Sequence, residues 1–301
     1  MKTLSTRWQT WTAQYPRAVA MIQLTRLDRP VGIWLLLWPT WWSLWLAARG
    51  LPSWKNLLIF TLGCILMRSA GCAINDFADR HFDGQVSRTH TRPLATGTLA
   101  PREALWVFAT LCALSALLLL WTSMFVAGLA LVAAALATTY PYCKRHTYLP
   151  QVVLGAAFAW AIPMAWAAET GTLKSETWLL YCSVLLWTVA YDTFYAMADR
   201  EDDRRIGIRS TAILFGDADR AITGLLQLLV LCAWLMIGHK FQMGWPFHLS
   251  WLIAACLFLW QQRLIQQRAP AACIQAFRNN QWVGLVVFIG IATDFWLHPA
   301  Q

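Results

Sequence analysis

The strongest constraint on this chain is a series of apolar runs, each close to the length that crosses a bilayer. They fall at 31–48, 55–74, 103–121, 124–140, 150–168, 176–197, 221–239, 247–262 and 281–297. A helix rises about 1.5 Å per residue, so about 20 mostly apolar residues cross the hydrocarbon layer. In lipid the backbone must satisfy its own polar groups, so such runs predict helices. The expected fold is therefore all-α, a polytopic membrane bundle of nine transmembrane helices in one domain covering 1–301. Short connections leave no room for a separate soluble domain. Composition agrees: 58% of residues are apolar and 13% charged, against about 25% charged in soluble domains. These values exclude a disordered chain, a disulfide-stapled secreted domain and an ordinary soluble enzyme.

The eight cysteines form no C-x-x-C pair and mostly sit inside apolar runs, as small core hydrophobes do. The 20 Trp suit gap filling between helices and the two membrane interfaces. Residues 1–30 hold no apolar core flanked by a cleavage site, so a removable signal peptide is not expected. The basic, amphipathic stretch from Trp8 to Leu27 is expected to lie at the membrane surface. A transit peptide is the alternative, but the stretch runs straight into the first apolar run.

Lys and Arg divide unequally between the two sides of the predicted spans. Nineteen fall in the N-terminal segment and the even-numbered loops, and four on the opposite side. This bias predicts a cytoplasmic N-terminus and, with nine spans, an external C-terminus. A bacterial cytoplasmic (inner) membrane is expected ahead of a mitochondrial one. The net charge of +9 needs no nucleic acid to explain it. Basic residues on the cytoplasmic face suit anionic membrane lipid and an anionic substrate. No obligate protein partner is implied.

Ala-Asp-Arg-x-x-Asp occurs twice, at 78–83 and 198–203, each where a span meets the cytoplasm. Matching topology points to duplication of a half-bundle. Asn75, Asp79 and Asp83 step by four along one helix face, with Asp76 beside them. Tyr191, Tyr195, Asp199 and Asp203 repeat the step. Seven of the 15 acids lie in these two clusters, counting Glu201 and Asp202. Stacked carboxylates repel unless a cation lies between them. Mg²⁺ favours a few carboxylates supplemented by water and phosphate oxygens. The clusters thus predict a diphosphate–Mg²⁺ site, with ordinary loop acids or a cation pathway as the other readings.

Lys144 and Arg145 stand between the two copies, and Tyr140 and Lys144 are one helical turn apart. Arg88, Arg92 and Arg209 follow the acids. All can clamp phosphate oxygens. Arg68 is the one basic residue well inside a span. Two turns before Asn75, it is placed to bind a carboxylate deeper in the bundle, or to tie helix carbonyls together.

The pair Asn75-Asp76-x-x-Asp79-x-x-x-Asp83 and Asp199-x-x-x-Asp203 resembles the aspartate motifs of the intramembrane aromatic prenyltransferases, the UbiA superfamily. Flanking runs resemble its branch of 4-hydroxybenzoate polyprenyltransferases of ubiquinone biosynthesis. These include Gly32 to Thr40, Met67 to Cys72, Arg88-Thr89 with Arg92-Pro93-Leu94, Leu149 to Gly155, Ala190 to Thr193 and Ile206 to Gly216. One departure is Arg209, where that branch has Lys; the charge is kept. The resemblance implies a UbiA-type bundle whose cavity opens to the cytoplasm and to lipid. It implies Mg²⁺ as cofactor, with polyprenyl diphosphate and 4-hydroxybenzoate as substrates. Asn75, Asp79, Asp83, Asp199 and Asp203 match the metal–diphosphate positions, and Tyr140 and Lys144 a diphosphate-contacting pair. Arg68 matches a position near the aromatic acceptor. Tyr191 and Tyr195 are expected to steady an allylic cation, and Asp76 is a candidate for taking the ring proton. The alternatives are another acceptor (homogentisate, dihydroxynaphthoate, haem) and, in a different class, a cation transporter.

Overall fold

A computed structural model describes residues 14–86, 88–143 and 145–299. Each predicted run is helical, and α1 and α9 lie outside those runs: α1 Pro16–Leu24, α2 Val31–Ala48, α3 Trp54–Asp79, α4 Pro101–Leu119, α5 Met124–Cys143, α6 Pro150–Ala159, α7 Ala161–Thr170, α8 Ser175–Ile206, α9 Thr211–Phe215, α10 Asp219–Lys240, α11 Trp245–Leu264 and α12 Pro270–Leu297. Among the described residues, eight segments are long and apolar enough to cross a membrane. The helix α11 stands at the remaining predicted span. Its 20 residues rise about 30 Å, but Trp, Pro, His and two Gln make it less apolar. The fifth span breaks at Trp160 into α6 and α7. Pro163 lacks the N–H that would continue the hydrogen-bond ladder there.

Where α2, α8 and α10 meet, the core is built from tryptophan. Trp42 stacks on Trp187, with ring centroids 5.4 Å apart, and meets Trp234 edge-on. A buried indole N–H gains from an acceptor in lipid; two of these three have one, and Trp234 Nε1 has none among the described residues. Trp42 donates to the Gly284 carbonyl, and Trp187 to Asn280 Oδ1 at 2.7 Å. Trp54, Trp121, Trp245 and Trp296 are instead exposed at the end opposite the acids, as an interfacial belt requires. All eight cysteines are free.

Gln227, Gln261, Gln262 and Asn279 form a chain of side-chain amides that joins α10, α11 and α12. Toward the other end of the α11–α12 pair, close approach depends on Gly290, because an added Cβ would strike the Ser250 side chain. Gly290→Ala is expected to cost about 1–3 kcal/mol. A lower unfolding midpoint in detergent, partly recovered by Ser250→Ala, would show it.

The described part of the N-terminal segment is more than a surface helix. Ala20 and Leu24 of α1 pack against Ala73, Leu99 and Ala104, and Arg17 pairs with Glu103 at 2.8 Å. The segment before residue 14 lies outside the described residues.

Helices α4 and α5 are consecutive, yet do not pack along each other. The helix α4 lies on α3, and α5 on α6. Both turn mostly outward. The space between them belongs to the cavity described next.

Candidate active site

One cavity of about 1740 Å³ runs from the acidic ends of α3 and α8 into the bundle. Its deep walls are apolar, with Ile59, Phe60, Leu119, Val126, Ala130 and Ala134. From Asp79 back to Phe60 is 19 residues of helix, or about 28 Å, nearly the hydrocarbon thickness. The cavity therefore joins a charged mouth to a long greasy slot that reaches the gap between α4 and α5.

Both acidic copies line the mouth, as their spacing predicts. Helix α8 is 32 residues long, about 48 Å. It overshoots the hydrocarbon and carries Asp199, Glu201, Asp202 and Asp203 on a continuous helical end. The first copy departs from expectation. Helix α3 stops at Asp79, and Asp83 opens a short 3-10 turn. Asp83 reaches the cavity through that turn and is not on the helix face of Asn75 and Asp79.

The acids are held by arginines. Arg88, from the loop after the first copy, forks onto Asp199 of the second, with Nε at 3.0 Å, and lies 4.2 Å from the Tyr195 ring. This pair closes the mouth from one copy to the other. Arg92 reaches both oxygens of Asp83 at 3.0 Å and also Asp76 at 3.0 Å. Burial works against the Arg92 charge, but Asp76 and Asp83 outweigh it and raise its pKa above the ordinary value. Burial, opposed by Arg92 and aided by Asp76 and Asp79, raises the Asp83 carboxyl above its ordinary value.

Asp76 lines the cavity mouth as an ion-paired group. It is 1% exposed, and both its oxygens accept from Arg26 at 2.8 Å, with Arg92 beside them. A carboxylate so occupied is a counter-ion to two arginines, and it still lines the cavity. Arg26 itself had no sequence signal. It sits in left-handed backbone at φ 57° just after α1.

Tyr191 also departs from expectation. It is buried outside the cavity, donates to Thr188 Oγ1 at 3.1 Å and meets Trp187 edge-on. Steps of four drift about 40° each around a helix, so Tyr191 lies about 80° from Asp199. Asp192, seven residues before Asp199, lies within about 20° of it and lines the cavity. The i, i+3, i+7 stripe Asp192, Tyr195, Asp199 was the readable signal. Arg145 does not line the cavity either. It donates to the Ala78 carbonyl at 3.0 Å and caps the end of α3. Arg209 does line it, stacked 5.2 Å from Tyr148 and bonded to the His146 carbonyl. Tyr140 and Tyr195 line it as well. Lys144 lies outside the described residues.

Arg68 enters the cavity wall deep below Asn75, 5.3 Å from the Phe158 ring. Gly32 makes room for it, because a Cβ there would sit 2.5 Å from Nε. Its Nε has no hydrogen-bond partner among the described residues.

The donor set at the mouth is all oxygen, which suits a hard divalent cation. Asn75 donates to Asp79 at 3.2 Å, which leaves its own buried Oδ1 without a partner. Among the described residues no three His, Cys, Asp or Glu side chains converge tightly enough to form a cage. Each cluster offers a partial set that a phosphate-bearing ligand would complete.

The family model for the UbiA prenyltransferase family matches residues 36–289. This chain belongs to that family. Among curated UbiA relatives, "4-hydroxybenzoate octaprenyltransferase" of Ectopseudomonas mendocina is 57% identical over 289 residues, covering 96% of this chain and 98% of that one. The protein of the same name from Saccharophagus degradans is 58% identical over 276 residues, 92% of each chain. Among solved structures, a UbiA homolog from Aeropyrum pernix K1 shares the fold at TM-score 0.77 and 23% identity, over 87% of this chain and 98% of that one. One from Archaeoglobus fulgidus, bound to GPP and Mg²⁺, does so at TM-score 0.67 and 15% identity, over 91% and 99%.

Proposed function

We propose that this protein transfers a long all-trans polyprenyl group from polyprenyl diphosphate to the carbon ortho to the hydroxyl of 4-hydroxybenzoate. The products are 3-polyprenyl-4-hydroxybenzoate and diphosphate, a step of ubiquinone biosynthesis. The observation that carries the reading is the cavity itself: two acidic clusters at a basic mouth, Arg68 in the wall beneath them, and an apolar slot that reaches the gap between α4 and α5. The relatives named for this reaction, at 57 and 58% identity, support it.

Asn75, Asp79, Asp83, Asp199 and Asp203 would hold Mg²⁺. When bound, the cation draws charge from the leaving diphosphate and eases rupture of the allylic C–O bond. Arg88, Arg92, Arg209 and Lys144 neutralise the diphosphate, which leaves with the electron pair. Arg88 and Arg92 must let go of Asp199 and Asp83 as they do so. Tyr140 and Tyr195 face the forming cation, and the apolar walls exclude water. Arg68 holds the acceptor carboxylate so that the ring carbon meets the cation, and the ring proton then passes to the departed diphosphate or to a carboxylate such as Asp76. The tail lies in the slot and passes between α4 and α5 into lipid. The acidic end faces the cytoplasm, in keeping with the charge bias.

The test is prenyl transfer in membranes carrying the protein. With 4-hydroxybenzoate, a long prenyl diphosphate and Mg²⁺, 3-polyprenyl-4-hydroxybenzoate is expected, and EDTA should abolish it. Product only with another aromatic acceptor would overturn the assignment of substrate. Ion flux without any prenyl product would overturn the assignment of class.

A further inference from the structure

A second ion-pair centre lies beside the second acidic copy, and nothing in the reaction above uses it. Asp219, the first residue of α10, is 0% exposed. Its carboxylate accepts from Arg268 Nε at 3.1 and 3.0 Å and from Arg268 Nη2 at 2.9 Å. It also accepts from the Arg220 backbone N–H at 2.6 Å and from Arg200 Nη2. One buried carboxylate thus holds two guanidinium groups, and both arginines line the cavity mouth. Arg268 is kept in left-handed backbone, φ 54°, a conformation that a residue with a Cβ rarely adopts.

The setting of Arg200 gives this a purpose. In sequence it follows Asp199 and precedes Glu201, Asp202 and Asp203. Asp203, three positions on, is within ordinary helical reach. Its guanidinium instead turns out of its own acidic run onto another helix. Its Nε is buried without a hydrogen-bond partner, so Asp219 is what holds it. The corresponding Arg80 of the first copy also turns from the acids, onto the Phe77 ring 4.3 Å away. We infer that Asp219 is a positioning residue for the cation site. It sequesters Arg200 and Arg268 so that their charges do not compete with a divalent cation for Asp199 and Asp203. The inference rests on the reading of those two aspartates as cation ligands.

Neutralising Asp219 would leave Arg200, whose side chain is 13% exposed, without its counter-ion, and the acids beside it on α8 are those of the motif. The test is Mn²⁺ binding to the purified full-length protein with inorganic pyrophosphate, read by electron paramagnetic resonance. In Asp219→Asn the half-saturating Mn²⁺ concentration should rise about tenfold, and the double variant Asp219→Asn with Arg200→Gln should recover most of the loss. The Mg²⁺ requirement of prenyl transfer should move in parallel, with KM for the aromatic acid unchanged. Mn²⁺ binding unchanged in Asp219→Asn overturns the inference, as does a loss that removing Arg200 does not recover. If Asp219→Asn fails to enter the membrane, Arg200→Gln alone decides, because weaker Mn²⁺ binding there would overturn the inference and equal or tighter binding would support it. Failure of the unsubstituted protein to bind Mn²⁺ with pyrophosphate would instead sink the cation reading beneath it.

Discussion

Asp79→Ala and Asp203→Ala are each expected to lower kcat/KM for prenyl transfer by about a thousandfold, while the protein still accumulates in the membrane. Each residue sits at the end of a long helix, beyond the apolar packing, so its loss leaves the bundle's core contacts intact. What is lost is charge stabilisation in a mouth where arginines already crowd the acids. Single preorganised electrostatic groups contribute about 10²–10³-fold in comparable sites, and a cation ligand acts on the same developing charge. Asp76→Asn should behave differently. It removes a counter-ion, so Arg26 and Arg92 lose their anchor, and KM for the prenyl diphosphate should change more than kcat. Steady-state kinetics in membranes of matched protein content separate the two patterns. Near-normal turnover in both alanine variants would overturn the assignment of Asp79 and Asp203 as cation ligands.

How much of this was legible depended on whether the determining force acts along the chain or across it. Each predicted run holds a helix because hydrocarbon leaves the backbone no other local solution. Boundaries were less legible. Helix α8 runs to Ile206, beyond the predicted end at 197, because charged residues can continue a helix once it leaves the lipid. The acidic copies were readable as a motif, and their meeting across one cavity followed from shared topology. Their arginine partners were not readable. Arg26 meets Asp76 across 50 residues and Arg88 meets Asp199 across 111, so the pairing is decided by tertiary packing. The same holds for Asp219, whose partners come from α8 and from the turn before α12. Tyr191 was misplaced for a different reason, since steps of four drift around a helix and steps of seven nearly close.

Arg68→Ala is expected to raise KM for 4-hydroxybenzoate by about 10–100-fold, with little change in KM for the prenyl diphosphate. The guanidinium lies seven residues before Asn75, about 10 Å deeper along α3. It is thus too far down to serve the diphosphate and well placed for a small acid held beneath it. A hydrogen bond to a charged group contributes about 1.5–3 kcal/mol, which sets the expected range. Phe158 lies against one side of the guanidinium, and Gly32 permits its approach on another. Gly32→Ala, which displaces Arg68 without removing its charge, should therefore give the same pattern at reduced size. Arg68→Lys keeps the charge but not the fork, and should fall between alanine and the unsubstituted protein. An acceptor bearing a carboxamide in place of the carboxylate distinguishes carboxylate binding from a packing role. The unsubstituted protein should strongly prefer the acid, and Arg68→Ala should lose most of that preference. If the preference survives, or if only prenyl diphosphate use changes, Arg68 ties the bundle together and the acceptor carboxylate is held elsewhere.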